Sequence, residues 1–374
     1  LVVLVGGTNG KGTTSALIAA LLRAQGLKVG MYNSPHIHTY NERVSVDGSL
    51  ISDAELCRSF LATEAARGDT TLTYFEFGTL AALWHFAQQP LDAVVLEIGL
   101  GGRLDAVNIV DADISVVTSI GLDHQAWLGN TVEQIAYEKC SIARAGRWLV
   151  CGQPDAPLSA RETTETLGGF WCGRGQQFGV SQTTAGLDVW ISVDGARREL
   201  ALPAARIPFH NVATAVQALA LIDRLPEDAV VSRVVADLHV DGRWQSFRRG
   251  EQTLVLDVAH NPQAAAYLRS QVAEVDCLIL GMLSDKDVAG VICELPEAKI
   301  IYTVTLGCWR GRSAASTATD VSACGYSVAG QYESMADALA MMPEQGVTLA
   351  AGSFYTVEAA SECIKSGEAE WNSI

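Results

Sequence analysis

The sequence predicts an α/β protein of two domains, and three observations support this. Apolar runs of four or five residues alternate with amphipathic stretches of helix length over residues 1–150. A glycine-rich loop links the first apolar run to the first helix. A second alternating series begins near residue 252. Apolar strands without a polar face are typical of a parallel sheet covered by helices on both sides. At 374 residues, the chain is long enough for two separate cores.

The first domain is predicted over residues 1–248, as a mostly parallel sheet with its helices. Five mainly apolar runs have the length of buried strands, at 1–5, 28–32, 93–97, 114–118 and 148–151. Five amphipathic stretches are expected as helices, at 14–25, 52–67, 75–88, 131–144 and 211–224. Because Leu1 lies in the first strand run, we expect the natural chain to extend before it.

A hairpin pattern and a second domain follow. Residues 187–193 and 196–202 flank Asp194-Gly195, which is a strong signal for a two-residue hairpin turn. We therefore expect a small β excursion on the first domain. The second domain is predicted over residues 249–374. Its strands are expected at 254–258, 277–281, 299–304 and 347–352, with helices between them.

Charge and cysteine content limit the partners and the compartment. The chain carries 26 Lys and Arg against 42 Asp and Glu, which gives a net charge of −16. Nucleic acids and anionic membranes attract basic surfaces, so neither is expected as a partner. The longest apolar runs are far short of a membrane span. The nine cysteines are scattered without a CxxC pair, which favours reduced thiols and a cytoplasmic protein.

The loop at residues 6–14, GGTNGKGTT, indicates phosphate binding. Glycines let backbone N–H groups face an anion, the helix N-terminus adds positive potential, and Lys11 supplies a mobile charge. The spacing differs from the Walker pattern, because Val5 stands where a glycine is required and Gly12 separates Lys11 from Thr13. A plain left-handed turn is the alternative. The strand–loop–helix context favours phosphate binding.

Polar residues also follow other strands of the first domain. Ser34, Glu97 and His124 come at or just after the ends of three predicted strands. Function in parallel sheets collects at the carboxyl ends of strands, and oxygen ligands suit magnesium. We therefore expect Glu97 to bind magnesium and His124 to be a candidate ligand of a second metal. The alternatives are a turn-capping role for Glu97 and a structural role for His124. By sequence physics alone, Lys139 is a solvated lysine near a helix C-terminus.

The second domain repeats this arrangement. The segment at 257–262, DVAHNP, joins a strand end to a helix that proline can open. The loops at 281–287 and 352–356 are expected at the same edge of the sheet. Two α/β domains with polar loops at their strand ends predict a cleft with nucleotide on one side and the second reactant on the other.

Five motifs, taken together, resemble the folylpolyglutamate synthase family, and in particular its bacterial bifunctional members that are also dihydrofolate synthases. They lie at 7–13 (GTNGKGT), 34–36 (SPH), 74–79 (YFEFGT), 97–108 (EIGLGGRLDAVN) and 257–262 (DVAHNP). The resemblance covers almost the whole chain, and the Mur ligases are wider relatives. It implies a P-loop-type ATP-binding first domain and a smaller, Rossmann-like second domain.

The resemblance also implies roles for individual residues. ATP phosphates would be held by Gly10, Lys11, Gly12 and Thr13, and the nucleotide would also contact Asn211, Arg243 and Asp257. Two magnesium ions would be served by Ser34, Glu97 and His124, together with a carbamate formed from carbon dioxide on Lys139. The pterin region would be lined by Thr73, Tyr74, Phe75, Glu76, Leu104, Asp105 and Ala106. His260 is the candidate for the glutamate side, with Ser353 as a second candidate.

The reaction that the family implies is ATP-dependent ligation of L-glutamate. A carboxylate of dihydropteroate, or of the terminal glutamate of a reduced folate, would take the γ-phosphate, and the glutamate amine would then displace phosphate. Lys11, Lys139 and His260 are the expected catalytic residues, and the protein is expected to be a monomer. Two alternatives stay open: a Mur-type ligase acting on a nucleotide-linked peptide, and an ATP-dependent switch without chemistry. A second metal site argues against the switch.

Overall fold

The computed structural model describes residues 1–366 and 371–374, which divide into two units, Leu1–Leu238 and His239–Ile374. The first unit contains an eight-stranded sheet in the order β4-β3-β2-β5-β1-β6-β7-β8. The strands are β1 (Val2–Gly6), β2 (Val29–Tyr32), β3 (Val44–Val46), β4 (Ser49–Leu50), β5 (Ala93–Glu97), β6 (Ile114–Val117), β7 (Trp148–Cys151) and β8 (Phe170–Gly173). In this sheet order, every pair of neighbouring strands from β2 through β5, β1, β6 and β7 to β8 is parallel. The predicted parallel sheet is confirmed.

Within Leu1–Leu238, eight helices accompany this sheet. They are α1 (Lys11–Arg23), α2 (Asp53–Arg67), α3 (Tyr74–Ala87), α4 (Gln125–Leu128), α5 (Val132–Cys140), α6 (Leu158–Thr166), α7 (Phe209–Leu221) and α8 (Asp228–Asp237). Five of them, α1, α2, α3, α5 and α7, lie near the predicted positions. Helix α5 ends at Cys140, earlier than the predicted residue 144. The Arg144 guanidinium donates to the carbonyls of Ile142 and Ala143, at 3.1 and 3.2 Å, so these carbonyls are satisfied without another helical turn.

The hairpin of β3 and β4 was not predicted. Asp47 and Gly48 connect the two strands, with φ values of 52° and 81°. Two consecutive positive φ values are what a type I′ hairpin turn requires, and Asp-Gly is its usual sequence. The strands themselves are too short for their apolar pattern to be recognised, so the turn was the available signal.

The predicted β excursion is confirmed as a three-stranded antiparallel sheet in the order β11-β10-β9. Its strands are β9 (Gly179–Thr183), β10 (Gly186–Val193) and β11 (Ala196–Leu202). Buried Gln217 on α7 links the sheet to the unit, because its amide accepts from Ser192 N and donates to Ser192 O, both at 2.9 Å. The excursion is therefore tied to a buried helix by a reciprocal pair of hydrogen bonds.

The second unit contains a seven-stranded sheet in the order β16-β15-β14-β17-β13-β12-β18. The strands are β12 (Gln245–Arg249), β13 (Gln252–Asp257), β14 (Glu274–Leu280), β15 (Glu297–Val304), β16 (Gly330–Tyr332), β17 (Gly346–Ala351) and β18 (Asn372–Ser373). The helices are α9 (Pro262–Gln271), α10 (Val288–Glu294), α11 (Ala314–Ala323), α12 (Met335–Ala340) and α13 (Phe354–Ser366). Strands β12 and β18 are antiparallel to their neighbours, and the remaining pairs are parallel.

The division between the units lies at Leu238/His239, before the predicted boundary at 248/249. The physical reason is β12, which pairs antiparallel with β13 through the turn at Gly250. A hairpin strand belongs to the sheet that satisfies its backbone hydrogen bonds, so β12 is part of the second unit. The polar sequence of β12, QSFRR, gave no sign of a strand.

Each unit has its own apolar core. In the first unit, the core includes the fully buried side chains of Leu4, Leu96 and Ile135. In the second, it includes those of Leu278, Val291 and Leu349. All nine cysteines are free thiols. Within residues 1–366 and 371–374, no helix combines the length and the apolar character needed to cross a membrane.

Candidate active site

The glycine-rich loop forms the turn between β1 and α1. Strand β1 ends at Gly6, and α1 begins at Lys11 after Gly10, whose φ of 83° lies in the left-handed region. Acidic residues are absent from the first turn of α1. The positive potential of the helix N-terminus is therefore not offset by a carboxylate in that turn, which suits an anion at this position.

The end of β6 holds this loop in place. Thr118 Oγ1 donates to Asn9 O at 2.6 Å, and Asn9 N donates to Ser119 Oγ at 2.9 Å. Thr8 N donates to Ser119 O at 2.8 Å. The sequence analysis did not identify Thr118 and Ser119. Two hydroxyl residues directly after a buried strand, at the edge expected to carry function, were the signal for them.

Asn211 lies against the same loop, although it is 198 residues away from Thr13 in the sequence. Its Nδ2 donates to Thr13 Oγ1 at 2.8 Å, and Thr13 Oγ1 donates to Gly10 O at 3.0 Å. Asn211 and Thr13 are both buried. The loop and the start of α7 thus form one hydrogen-bonded unit, in which three predicted ATP-contacting residues meet.

Alanine at Gly10 should weaken ATP binding, and alanine at Gly26 should not. A Cβ at Gly10 would lie 2.5 Å from Asn211 Nδ2, whereas a Cβ at Gly26 has no atom within 4 Å. Both positions have nearly the same positive φ, 83° and 82°, so both substitutions cost about 1 kcal/mol of backbone strain. The difference between them isolates the loop contact. Calorimetry should show ATP affinity lowered by about tenfold or more in Gly10→Ala only, and equal affinities would contradict the role of the loop.

Two lysines converge on one carbonyl of the loop. Lys139 Nζ donates to Gly7 O at 3.0 Å, and Lys11 Nζ donates to the same oxygen at 3.1 Å. Lys139 is only 4% exposed. Burial lowers the pKa of Lys139 to about 7, and the nearby charge of Lys11 acts in the same direction. The interpretation of Lys139 as a solvated lysine is therefore wrong, because α5 directs its side chain into the unit.

Carboxylates surround this pair of lysines. The charges of Asp123 and Asp105 act to raise the pKa of Lys139, and Lys11 acts to lower the pKa of Asp105. Burial outweighs these effects on Asp105, whose pKa is raised. Asp105 accepts hydrogen bonds from Leu100 N and Val107 N, at 2.8 and 2.9 Å. Its carboxylate therefore orders the 99–107 loop beside the lysines.

Glu97 and Ser34 are brought together, as predicted for two metal ligands. Ser34 N donates to Glu97 Oε2 at 3.1 Å, and Glu97 is buried at the end of β5. A Cβ at Gly12 would lie 3.7 Å from Glu97 Oε2, so this carboxylate is next to the phosphate loop. The hydrogen bond also matches the alternative of a turn carboxylate. The two roles are compatible, since a carboxylate has more than one acceptor position.

His124 precedes α4 with a φ of 51°, in the left-handed region. The backbone N–H of His124 donates to Asp123 Oδ1 at 2.8 Å, and the ring Nε2 of His124 lies 3.9 Å from Asp123 Oδ2. Among the described residues, His, Cys, Asp and Glu form no group of three or more that could hold a metal ion. The predicted ligands include a serine and a lysine. Magnesium usually keeps several waters and binds substrate phosphates, so it does not require a full protein cage.

The segment predicted to contact the pterin begins α3. Thr73 and Glu76 form a capping box, in which Glu76 N donates to Thr73 Oγ1 at 3.2 Å and Thr73 N donates to Glu76 Oε2 at 2.7 Å. The sequence analysis missed this structural role. Phe75 packs on Gly99, where a Cβ would lie 2.4 Å from the ring. Tyr74 and Leu104 are 65% and 80% exposed, so both offer apolar surface to a ligand.

In the second unit, Arg243, Asp257 and His260 lie around the end of β13. Asp257 accepts hydrogen bonds from Trp244 N at 2.9 Å and Ala259 N at 2.8 Å. Burial raises the pKa of Asp257, and Arg243 opposes this shift. The Arg243 guanidinium lies 5.2 Å from the Phe354 ring centroid, and the His260 and Phe354 ring centroids are 6.3 Å apart. Phe354 thus joins the two predicted residues. Its loop, 352–356, was expected at this edge, but Phe354 itself was given no role.

Ser353 is buried and engaged within its own turn. Its Oγ accepts from Thr356 N at 3.0 Å and lies 2.8 Å from Thr356 Oγ1. Thr356 Oγ1 donates to Gly281 O at 2.8 Å, which connects two neighbouring strand ends. These bonds give Ser353 a structural role at the start of α13.

Comparison with known proteins decides the family. The model of the Mur ligase middle domain matches residues 5–147, and that of the Mur ligase glutamate ligase domain matches residues 242–354. The dihydrofolate synthase/folylpolyglutamate synthase of Escherichia coli is 38% identical over 369 residues, with 97% of this chain and 86% of the relative covered. The chain belongs to the dihydrofolate synthase/folylpolyglutamate synthase family.

Solved structures of this family share the fold. The bifunctional enzyme from Yersinia pestis CO92 is 40% identical, with a TM-score of 0.89 and 97% and 89% of the two chains covered. An Escherichia coli structure in complex with DHPP and ADP is 36% identical, with a TM-score of 0.89 and coverages of 98% and 89%. A bifunctional enzyme with Mn, AMPPNP and L-glutamate bound is 40% identical, with a TM-score of 0.89 and coverages of 97% and 89%.

These comparisons confirm the family resemblance, the two-domain fold and the class of enzyme. As a member of the dihydrofolate synthase/folylpolyglutamate synthase family, the chain is an ATP-dependent ligase that adds glutamate in folate metabolism. The alternative of a switch without chemistry is thereby set aside.

Proposed function

We propose that the chain joins L-glutamate to dihydropteroate and to reduced folates through an acyl phosphate made from ATP. The observation that carries this proposal is the meeting of Lys11 and Lys139 on the Gly7 carbonyl of the phosphate loop. A carboxylate does not acylate an amine at neutral pH unaided, because the leaving group would be oxide. Transfer of the γ-phosphate makes phosphate the leaving group, so a site that stabilises phosphoryl charge is what the reaction needs.

The glycine-rich loop and the start of α1 would bind the phosphates of ATP. Gly10, Lys11, Gly12 and Thr13 would hold the phosphates, and Asn211 keeps Thr13 and Gly10 in register. Lys11 would offset the charge that develops as the substrate carboxylate attacks the γ-phosphorus. The residues thus align two anions that would otherwise repel each other.

Two magnesium ions would be held by four side chains, those of Ser34, Glu97, His124 and a carboxylated Lys139. The donor set suits them, since the buried Glu97 carboxylate lies beside the loop and supplies a hard oxygen ligand. When bound, the metal ions supply charge neutralisation at the phosphates.

Lys139 is suited to react with carbon dioxide. Only a neutral amine is nucleophilic, and a pKa of about 7 leaves about half of the Lys139 side chains neutral at pH 7. The amine nitrogen bonds to the carbon of carbon dioxide and loses a proton, which gives a carbamate. This change places an anion next to the Lys11 ammonium, so the two side chains attract each other.

The remaining predicted residues complete the proposal. Arg243 and Asp257 would contact the nucleotide, and His260, with Ser353 as second candidate, would serve L-glutamate. The pterin would be lined by residues 73–76 and 104–106. We further propose that the protein is a cytoplasmic monomer with small molecules, and neither nucleic acid nor membrane, as partners.

A paired assay tests the function. Purified protein is supplied with ATP, magnesium, bicarbonate and L-glutamate, and either dihydropteroate or tetrahydrofolate. We expect ADP release that depends on each acceptor, and a product heavier by one glutamate residue in mass spectrometry. A nucleotide-linked peptide precursor serves as the third acceptor. Activity on that precursor alone would establish the Mur-type alternative, and ADP release without any glutamate adduct would refute ligation.

A further inference from the structure

Arg43 is a buried cation that the reaction described so far does not use. It ends the 3₁₀ turn Tyr40–Arg43 that leads into β3, and it is 8% exposed. Its Nε donates to His36 Nδ1 at 2.8 Å. Arg43 also donates a side-chain hydrogen bond to the hydroxyl of Tyr32. Both partners are neutral groups, so neither compensates the charge of the guanidinium.

Two aromatic rings flank the same guanidinium. Its Cζ lies 5.2 Å from the centroid of Tyr40 and 5.5 Å from that of Tyr74. The two rings are 5.9 Å apart and perpendicular. Tyr74 is 65% exposed, so this group of side chains reaches the surface of the unit. Aromatic faces attract a cation and shield it from water, but they leave the donors in the guanidinium plane available.

A carboxylate partner would be the usual companion of such a group. Over residues 1–366 and 371–374, no Asp or Glu oxygen forms an ion pair with Arg43. Glu42, its neighbour in the sequence, instead accepts from the N–H groups of Ile37, His38 and Thr39, at 2.7 to 2.9 Å. A buried charge without a counter-charge is costly unless a ligand supplies one.

The position of Arg43 indicates which ligand. Asn33 N donates to Arg43 O at 2.9 Å, and the next residue, Ser34, donates its N–H to the Glu97 carboxylate beside the phosphate loop. Tyr74 belongs to the segment proposed to line the pterin. Arg43 thus contacts Tyr74 and adjoins the strand end that carries Ser34, so a substrate that extends from Tyr74 to the phosphate loop would pass it.

We infer that Arg43 binds a second carboxylate of the acyl substrate, the one that remains free beside the carboxylate being phosphorylated. This rests on the proposed function. Dihydropteroate has a single carboxylate, which reacts, whereas a folate with a glutamate tail keeps one more. A guanidinium matches a carboxylate with two parallel hydrogen bonds. Arg43 would thus favour glutamate-tailed substrates and leave dihydropteroate almost unaffected.

Kinetics of Arg43→Gln with the two substrates test this inference. We expect the KM for tetrahydrofolate to rise about 10- to 100-fold, because a charge-assisted hydrogen-bonded pair is lost. The KM for dihydropteroate should change little. Arg58→Gln is the control, since it removes an exposed arginine from α2 of the same unit. Equal losses on both substrates would show that Arg43 is structural or binds the reacting carboxylate, and would overturn the inference.

A second experiment begins with the wild-type protein, so its first result does not depend on how well the variant folds. The wild-type protein is assayed with a tetrahydrofolate in which the non-reacting carboxylate of the glutamate tail is a carboxamide. Its KM should rise by a similar factor, and Arg43→Gln should show no additional penalty for the amide. A penalty of the same size in both proteins would overturn the inference. Wild-type protein inactive on both natural substrates would refute the proposed function itself.

Discussion

Replacing Lys139 with alanine should lower turnover by about 10³-fold or more, because the site would lose the proposed metal-bridging carbamate and the charge stabilisation that depends on it. Lys139 is buried on α5 with its Nζ on the phosphate loop, so its removal changes the site directly. Steady-state ADP release with each acceptor measures the effect. Lys365→Ala is the matched control, since it removes an exposed lysine at the end of α13.

Chemical rescue separates the carbamate from a merely structural lysine. Small carboxylic acids such as acetate or propionate should restore part of the activity of Lys139→Ala, because they fit the space of the side chain and supply anionic oxygens. The wild-type protein should not respond to them. Thermal melting shows whether the variant is folded. A folded variant that keeps its activity, or that no carboxylic acid rescues, would contradict metal bridging.

The carbamate should also depend on pH in a defined direction. The pKa of Lys139 is lowered to about 7, so its amine is protonated below that pH and neutral above it. At a fixed pressure of labelled carbon dioxide, the carbamate signal in ¹³C NMR should grow as the pH rises through 7 and disappear as it falls. Lys139→Ala should lack the signal at every pH. A signal that is insensitive to pH between 6 and 8 would argue against a lysine with this pKa.

Replacing Lys11 with methionine should lower kcat by about 10²- to 10³-fold, which is the effect expected when one donor to a developing phosphoryl charge is removed. Lys11 donates to the carbonyls of Gly7 and Thr8, at 3.1 and 3.4 Å, so its amine is held within the phosphate loop. The KM for ATP should change less than kcat, since the backbone of the loop still binds phosphates. Lys28→Met, outside the loop, is the control.

The same variant has a second expected effect. The charge of Lys11 helps to lower the pKa of Lys139, so its removal should raise that pKa. The pH at which the carbamate signal appears should therefore move upward in Lys11→Met. An unchanged pH profile together with reduced kcat would show that the two lysines act independently.

Much of the fold follows from patterns that are local in the sequence. The apolar runs that became β1, β5 and β6, and the Asp194-Gly195 turn, are visible without any tertiary information. Strand β12 was not, because its residues are polar and it exists through pairing with β13. The hairpin of β3 and β4 was missed for a similar reason, since its strands are short.

The residues of the candidate site were also only partly predictable from the sequence. Lys11, Glu97 and His124 could be named from glycine spacing and strand ends, and the family resemblance added Asn211 and Lys139. The sequence placed Thr118, Ser119 and Phe354 at strand ends but gave them no role, because their hydrogen bonds and ring contacts are with distant residues.

By itself, the sequence determined the alternating apolar strands and amphipathic helices of the two units, the glycine-rich loop and the family resemblance, because each depends on residues that are neighbours along the chain. Only the tertiary structure decided that Lys139 is buried with a pKa near 7, and that Arg43 has neutral partners. Burial and charge depend on which distant segments pack around a side chain. That packing is set by the arrangement of the strands in the sheet, and no local pattern encodes it.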